Sequence, residues 1–475
     1  MTLARRDFLR TMMAGAGWGV LGSCASLQSC RETIANRPVR RNLTSLAPDD
    51  PIILAYKSAV TQMKALPSTD RRSWARQAQI HNDFCPHNNW LFLPWHRAYL
   101  FYFERICRKL SGMDTFALPY WNWSQEAHLP APFWGGSSNP LFNGTRVVTA
   151  SSTAASANVG AMTVNSILDE SNFLLFGSGA IPATGSQRAG STTGRLEGTP
   201  HNYIHRFVGG DMGGYLSPLD PIFWLHHNNI ERLWVQWQFD RDHDNTEDPA
   251  WLNREFTEFC DEDGAPVTTS VAWGLLYPVL SYRFDDVGPG SPASRNAGLT
   301  RKAAEEKDSQ KAKSGAAIRA DVLRRFAAPQ PATVPLGQSS SLRLAVDAGA
   351  LRGVGASGAP RALLSLRVPM GQRNDVSVRV FLNKPDATAQ TSTDDPHFAG
   401  AIAFFEHTGP GHDHRGDLEF ILDATDAVQR LGLEGGPLDL TVVLVPFPDR
   451  QPAARSLQLS ATELRLSRDS IVRRP

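Results

Sequence analysis

The sequence predicts a mainly α first half with long connections, followed by a small β-sandwich-like domain. Three observations carry this reading. Apolar residues recur at helical spacing in three segments of the first half. Composition shifts to Gly, Pro, Ala and charge after Val287. Beyond the shift, apolar and polar residues alternate with a period of two.

The elements follow in order. Residues 51–66 (PIILAYKSAVTQMKAL) have helical periodicity and end at Pro67, whose ring removes a backbone donor. Residues 95–110 (WHRAYLFYFERICRKL) read as a second helix after Pro94, with Tyr99, Phe103 and Ile106 on one stripe. Residues 135–195 are rich in Gly, Ser and Thr and read as a long loop excursion. Residues 222–238 (IFWLHHNNIERLWVQWQ) read as a third helix, with His227, Ile230, Trp234 and Trp237 roughly on one face. Residues 288–338 read as an exposed, partly helical linker that includes the charged run RKAAEEKDSQKAK. The runs 342–346, 364–368, 376–382 and 438–445 then alternate as strands. The expected layout is a leader over 1–35, a helical domain over 36–287, a linker over 288–338 and a β-rich domain over 339–475.

The first residues are set aside as a targeting segment. Arg5-Arg6-Asp7-Phe8-Leu9-Arg10 precedes a weakly apolar, Gly/Ala-rich stretch. This pattern resembles a twin-arginine export signal, which carries folded proteins. It implies a periplasmic or secreted destination. The segments ending at Cys24 and Cys30 each loosely resemble a lipobox, which makes a lipid anchor a candidate. No later run reaches the roughly 18 apolar residues of a transmembrane helix. Lys+Arg 48 against Asp+Glu 47 gives no electrostatic case for nucleic acid or an anionic membrane. Of the five cysteines, Cys24 and Cys30 lie in the leader. Cys85, Cys107 and Cys260 are too scattered for a disulfide framework.

Most of the 13 histidines fall into two clusters. The first holds His81, His87 and His96; the second holds His201, His205, His226 and His227. His201 and His205 stand at i and i+4, so on a helix their imidazoles share a face. Three imidazoles per ion, without thiolate or carboxylate, suit copper, and zinc accepts the same set. A pair of cuprous ions can pass two electrons to dioxygen, whereas a zinc pair does no redox chemistry. Spacing alone leaves a dicopper oxidase and a dizinc hydrolase both open.

Longer motifs carry a resemblance that separates the two. Residues 81–87 (HNDFCPH), followed by 90–100 (WLFLPWHRAYL) and Phe103-Glu104, resemble the CuA region of tyrosinases. Residues 220–234 (DPIFWLHHNNIERLW) resemble their CuB region, with 201–205 (HNYIH) supplying its first part. Residues 56–81 and 250–285 resemble the flanks of the catalytic domain in plant-type polyphenol oxidases. Residues 376–446 resemble the C-terminal shielding domain of those enzymes. The match is weakest over 135–190 and 288–340.

The resemblance implies a four-helix bundle holding a dicopper, type-3 site. CuA would be bound by His81, His87 and His96, and CuB by His201, His205 and His227. His226 would stand beside the site, because neighbouring side chains on a helix lie about 100° apart. Two departures from the family pattern are visible. Glu231 stands where the family often has Asp. The long insertion that plant members carry before the second CuA histidine is absent, and Cys85-Pro86-His87 instead resembles the short Cys-x-His arrangement of some fungal and animal relatives. There the cysteine sulfur is bonded to the imidazole, which implies a Cys85–His87 thioether here.

By the same resemblance, the chain oxidises a small phenolic substrate with dioxygen. It would hydroxylate monophenols and convert o-diphenols to o-quinones. A catechol oxidase without monophenol hydroxylation is the nearer alternative, and a hemocyanin-like oxygen carrier the remote one. Glu197 and Asn202 match the positions proposed in the family to hold the water that deprotonates a phenol. Arg206, Tyr215, Phe223 and His226 would border the substrate pocket. A copper chaperone is a candidate partner, and His407, His412 and His414 lie in a Gly-rich loop where copper transfer is one reading and a solvated polar loop the other.

Overall fold

The computed structural model describes residues 36–291, 317–356, 358–369, 375–405, 417–448, 450 and 455–472. The expected leader, the charged run and His407, His412 and His414 lie outside the described residues. Among the described residues no helix is long and apolar enough to cross a membrane.

Helix α1 (Pro51–Ala65) begins where Asp50 accepts a hydrogen bond from the Ile52 amide, with Pro51 opening the first turn, and ends before Pro67. Helix α2 (Trp74–Phe84) is capped by Ser73, which accepts from the Arg76 amide. Helix α3 (Phe92–Ser111) begins earlier than its sequence pattern suggests and takes Pro94 into its first turn. Proline is tolerated there because the first amides of a helix have no intrahelical partner. It stops at Gly112, whose φ of 70° closes the last turn. Short helices at Ser156–Val159, Ala161–Leu168 and Phe173–Phe176 punctuate the expected loop excursion. A π-type turn (Glu197–His201) leads into helix α4 (Asn202–Val208), and helix α5 spans Ile222–Val235.

These helices share one aromatic core. Trp224 of α5 stacks on Phe103 of α3, with ring centroids 3.4 Å apart. A buried ion pair ties the same helices together. Arg97 donates from Nε to both carboxylate oxygens of Glu231 at 2.9 Å and lies 3.4 Å above the Trp234 ring. Tyr282 donates to Glu231 at 2.7 Å, and Arg97 also donates to Gln238. Glu231 thus has fixed donors for both oxygens, as a buried carboxylate requires.

The C-terminal part is a β-sandwich. Strands are numbered from β1 (Thr192–Thr193) through β2 (Ala317–Ala327), β3 (Ser339–Val346), β4 (Arg361–Pro369), β5 (Val376–Leu382), β6 (Phe398–Ile402), β7 (Asp417–Asp423) and β8 (Gly436–Pro446) to β9 (Ala461–Val472). One sheet runs β1-β7-β4-β9-β2 and the other β6-β5-β8-β3. Leu364 and Leu366 of the first pack with Val378, Val380, Leu440 and Val442 of the second in one core. Two expectations are corrected. The span 288–338 is not all linker, because β2 and a short strand at Ala332–Pro335 belong to the β part. Strand β2 pairs with β9 over most of its length, which a charged, alternating stretch such as IRADVLRR can do at a sheet edge. Second, the first sheet borrows a strand from the helical half. Thr192 and Thr193 pair in parallel with Glu419 and Phe420.

Candidate metal centre

The histidines of both sequence clusters meet between α2, α3, α4 and α5. His81 lies in the last turn of α2, and His87 lies just beyond it, where Cys85 has already ended the helix. His96 sits in α3, His201 and His205 flank the start of α4, and His226 and His227 lie in α5. All are buried. The ring nitrogens of His201, His205, His226 and His227 lie within 4.8 Å of one another, as do those of His81, His96 and His227. The Nε2 atoms of His205 and His227 are 3.1 Å apart.

Backbone carbonyls orient these rings. His81 Nδ1–H donates to Tyr215 O at 2.6 Å, His96 to Phe92 O at 2.8 Å and His205 to Met212 O at 2.7 Å. His201 donates to the Asn202 side-chain oxygen at 2.9 Å. A proton fixed on Nδ1 leaves the Nε2 lone pair free to bind a metal. Burial lowers the pKa of His81, His96, His201, His205, His226 and His227; His96 and His205 fall to about 3. Neighbouring imidazoles add to the lowering at His81, His201, His226 and His227. These six rings are therefore neutral at physiological pH. The buried Nε2 atoms of His81, His96 and His201 have no hydrogen-bond partner. A buried polar atom in that condition costs about 1–3 kcal/mol, and several aimed at one space fit a metal centre.

The other residues singled out in the sequence take definite places. Glu197 is 1 % exposed, and its carboxylate lies within 4.8 Å of the ring nitrogens of His87 and His201. Burial pushes its pKa up to about 8 against the hydrogen bonds it accepts. Asn202 is committed at both ends of its amide, to His201 and, through Nδ2, to Ala403 O at 3.0 Å. Cys85 Sγ lies 3.5 Å from His87 Nδ1, and burial pushes its thiol well up. Tyr215 lies with its ring 5.1 Å from that of His87. Phe223 is fully buried, 4.2 Å from His227 and 5.0 Å from His81.

Two expectations about the pocket border change. Arg206 is not directed at a substrate: it pairs with Asp375 of the β part and donates to Gly213 O. His226 is fully buried and accepts from Trp123 Nε1 at 3.2 Å, so it is part of the core rather than a pocket wall.

The residue that sequence reasoning missed is Phe405. Its ring lies 4.5 Å from His205, 4.7 Å from His87, 5.2 Å from Tyr215 and 5.8 Å from His201. It arrives from the β part just after β6. The Ala403 amide donates to Gly198 O at 2.8 Å, and Thr199 Oγ1 donates to Ala401 O at 2.9 Å. Phe404 points the other way, into the sandwich core against Phe420. Phe92, which packs on His96 and His201, was missed as well.

This geometry can be set beside known proteins. Residues 63–240 match the family described as the common central domain of tyrosinase. Those residues are a tyrosinase-family domain. A chloroplastic polyphenol oxidase of Malus domestica is 32% identical over 275 residues, covering 49% of this chain and 46% of that one. A tyrosinase of Hahella sp. is 31% identical over 312 residues, covering 54% of this chain and 66% of the relative. The chain thus spans about half the length of the plant relative and somewhat more of the bacterial one. Latent aurone synthase, a polyphenol oxidase, superposes with a TM-score of 0.68 at 24% identity, covering 91% of this chain and 90% of that one. Latent apple tyrosinase gives 0.62 at 22% identity, covering 90% and 96%. These superpositions establish the fold, a helical core joined to a C-terminal sheet domain.

Proposed function

We propose that this protein uses copper to oxidise phenols with dioxygen, hydroxylating monophenols and converting o-diphenols to o-quinones. One observation carries the reading: buried imidazoles converge from four helices, and those of His81, His96 and His205 have their Nδ1 protons tied to backbone carbonyls. Such an all-imidazole donor set suits copper. In this reading His81, His87 and His96 hold one ion and His201, His205 and His227 the other. Two copper ions there would supply the electrons that reduce dioxygen.

The protein's own side chains perform the rest. Phe223 and Phe92 pack against the ligand rings and limit their rotation. The aromatic slot between His87, His205 and Tyr215, filled by the Phe405 ring, has the dimensions of a phenol ring. Glu197 is the proton acceptor for the phenol hydroxyl, directly or through a water. Its pKa near 8 suits that task, because an efficient base is matched to the working pH. The Gln variant of Glu197 should therefore lose phenol hydroxylation by roughly a further 10²-fold beyond any loss of catechol oxidation. Steady-state rates on a paired phenol and catechol test this. Equal losses on both substrates would assign Glu197 a structural role. Catechol oxidation alone is favoured by one observation, that both ends of the Asn202 amide are engaged. The same pair of substrates decides it.

The Cys85–His87 thioether belongs to this proposal, supported by the 3.5 Å approach of sulfur to ring. Forming it replaces one S–H and one ring C–H by an S–C bond, with dioxygen accepting the two electrons and two protons. Intact mass of the denatured, metal-free protein should fall by about two hydrogens, and Cys85 should resist alkylation. Fully active enzyme with an alkylatable Cys85 would remove the claim. Export through the twin-arginine-type leader is part of the same reading, since a folded protein can acquire its metal before crossing. So is shielding of the site by the β domain.

A further inference from the structure

Two residues that are not glycine, yet have left-handed backbone, meet at one carboxylate. Asn88 has φ 57° and Ser178 has φ 79°. The Asn88 amide donates to Glu197 Oε1 at 2.8 Å, and the Ser178 hydroxyl donates to Glu197 Oε2 at 2.6 Å. Left-handed backbone is rare for residues with a Cβ, and outliers of this kind cluster at functional sites. The local sequence sharpens the point. It reads Phe176-Gly177-Ser178-Gly179, with glycine on both sides and serine at the position whose φ asks for glycine.

The hydroxyl accounts for the serine. The Gly194 amide donates to Ser178 Oγ at 2.8 Å, so the single hydroxyl proton is left for Glu197. The surrounding chain leaves it little freedom. A Cβ on Gly194 would meet the Ser178 nitrogen at 2.2 Å. The Gly179 amide donates to Thr192 O at 2.7 Å, and the Ser191 amide to Asn88 O at 2.8 Å. Thr193 Oγ1 donates to the Asn88 side chain at 2.8 Å. Three segments are thus laced around one carboxylate that stands beside His87 and His201.

We infer that Ser178 is a positioning residue for phenol hydroxylation, fixing the Glu197 carboxylate so that its remaining acceptor sites face the space between His87 and His201. A carboxylate has about four acceptor sites, and the two protein donors select which of them stay open. The inference rests on the assignment of Glu197 as the phenol's proton acceptor. It concerns only that step, because catechol oxidation does not depend on the aim of this carboxylate to the same degree.

The test is Ser178→Gly in the full-length, copper-loaded chain carrying Phe405→Ala to open the site. Glycine suits the backbone at φ 79°, so the variant keeps its fold and its copper content. Its ratio of phenol hydroxylation to catechol oxidation, taken from kcat, should fall about tenfold or more. Asn88→Gly keeps the main-chain donor and should change the ratio less than about threefold. Adding Ser178→Gly to Glu197→Gln should lower the ratio no further, since both act through one group. If Glu197→Gln is selective for hydroxylation but Ser178→Gly leaves the ratio unchanged, the inference fails and the role of Glu197 stands. If Glu197→Gln lowers both reactions equally, both fall together. Loss of copper or of thermal stability in Ser178→Gly, without a change in ratio, would make the serine structural.

Discussion

Replacing His227 with alanine abolishes phenol oxidation and removes bound copper, whereas replacing its neighbour His226 does much less. The expectation follows from where each ring is held. His227 brings its Nε2 to 3.1 Å from that of His205 and stacks on His96 with centroids 4.3 Å apart. It faces both histidine sets. His226 turns its Nδ1 to Trp123 and stacks on His201 instead. Truncating a metal ligand should lower turnover by roughly a thousandfold or more. Truncating a residue that only braces ligands typically costs about 10- to 100-fold. Copper content by atomic absorption, measured beside catechol turnover, separates the two. Full copper and activity in His227→Ala, with both lost in His226→Ala, would exchange their roles.

Phe405→Ala raises kcat/KM for phenols and catechols by roughly tenfold or more, with copper content unchanged. The ring stands against His87, His205 and His201, in the place a substrate ring would take. Apparent affinity scales with the fraction of molecules whose site is open, so removing an occupant of the slot acts directly on that fraction. Phe404→Ala is the control. It removes a ring from the sandwich core, costing about 3–5 kcal/mol of stability, and should not open the site in the same way. Cutting the chain at the basic residues between 301 and 313 is a weaker activator than Phe405→Ala. The β part is also held by the pairing of β1 with β7, by Arg206 and Arg450 around Asp375, and by Arg361 donating to Glu170 at 2.8 Å. A nicked protein should therefore elute as one species and gain activity only once its fragments separate. Unchanged kcat/KM in Phe405→Ala would show that the domain is not a shield.

Much of the centre was legible in the residues. His201 and His205 stand at helical spacing, so their shared face follows from helix geometry alone. The motifs around His81 and His227 named the family, and with it the helical core and the sheet domain. Four strands, β3, β4, β5 and β8, were legible from alternation, whereas β2, β6, β7 and β9 were not. Arg206 was misplaced because adjacency to His205 in sequence says nothing of the Asp375 that lies 169 residues away.

What the sequence determined by itself was the donor set: imidazole clusters, a Cys-x-His segment and a carboxylate four residues before His201, with the resemblance of the surrounding motifs separating copper from zinc. These depend on residue type and short spacing, which local chain geometry preserves. Only the tertiary structure decided which side chains stand over and behind the site. Phe404 and Phe405 are chemically identical, and a change of one residue sends the ring to the opposite face. Ser178 and Asn88 reach Glu197 from segments 19 and 109 residues away. No local periodicity records such a meeting, because it is set by how loops between helices pack.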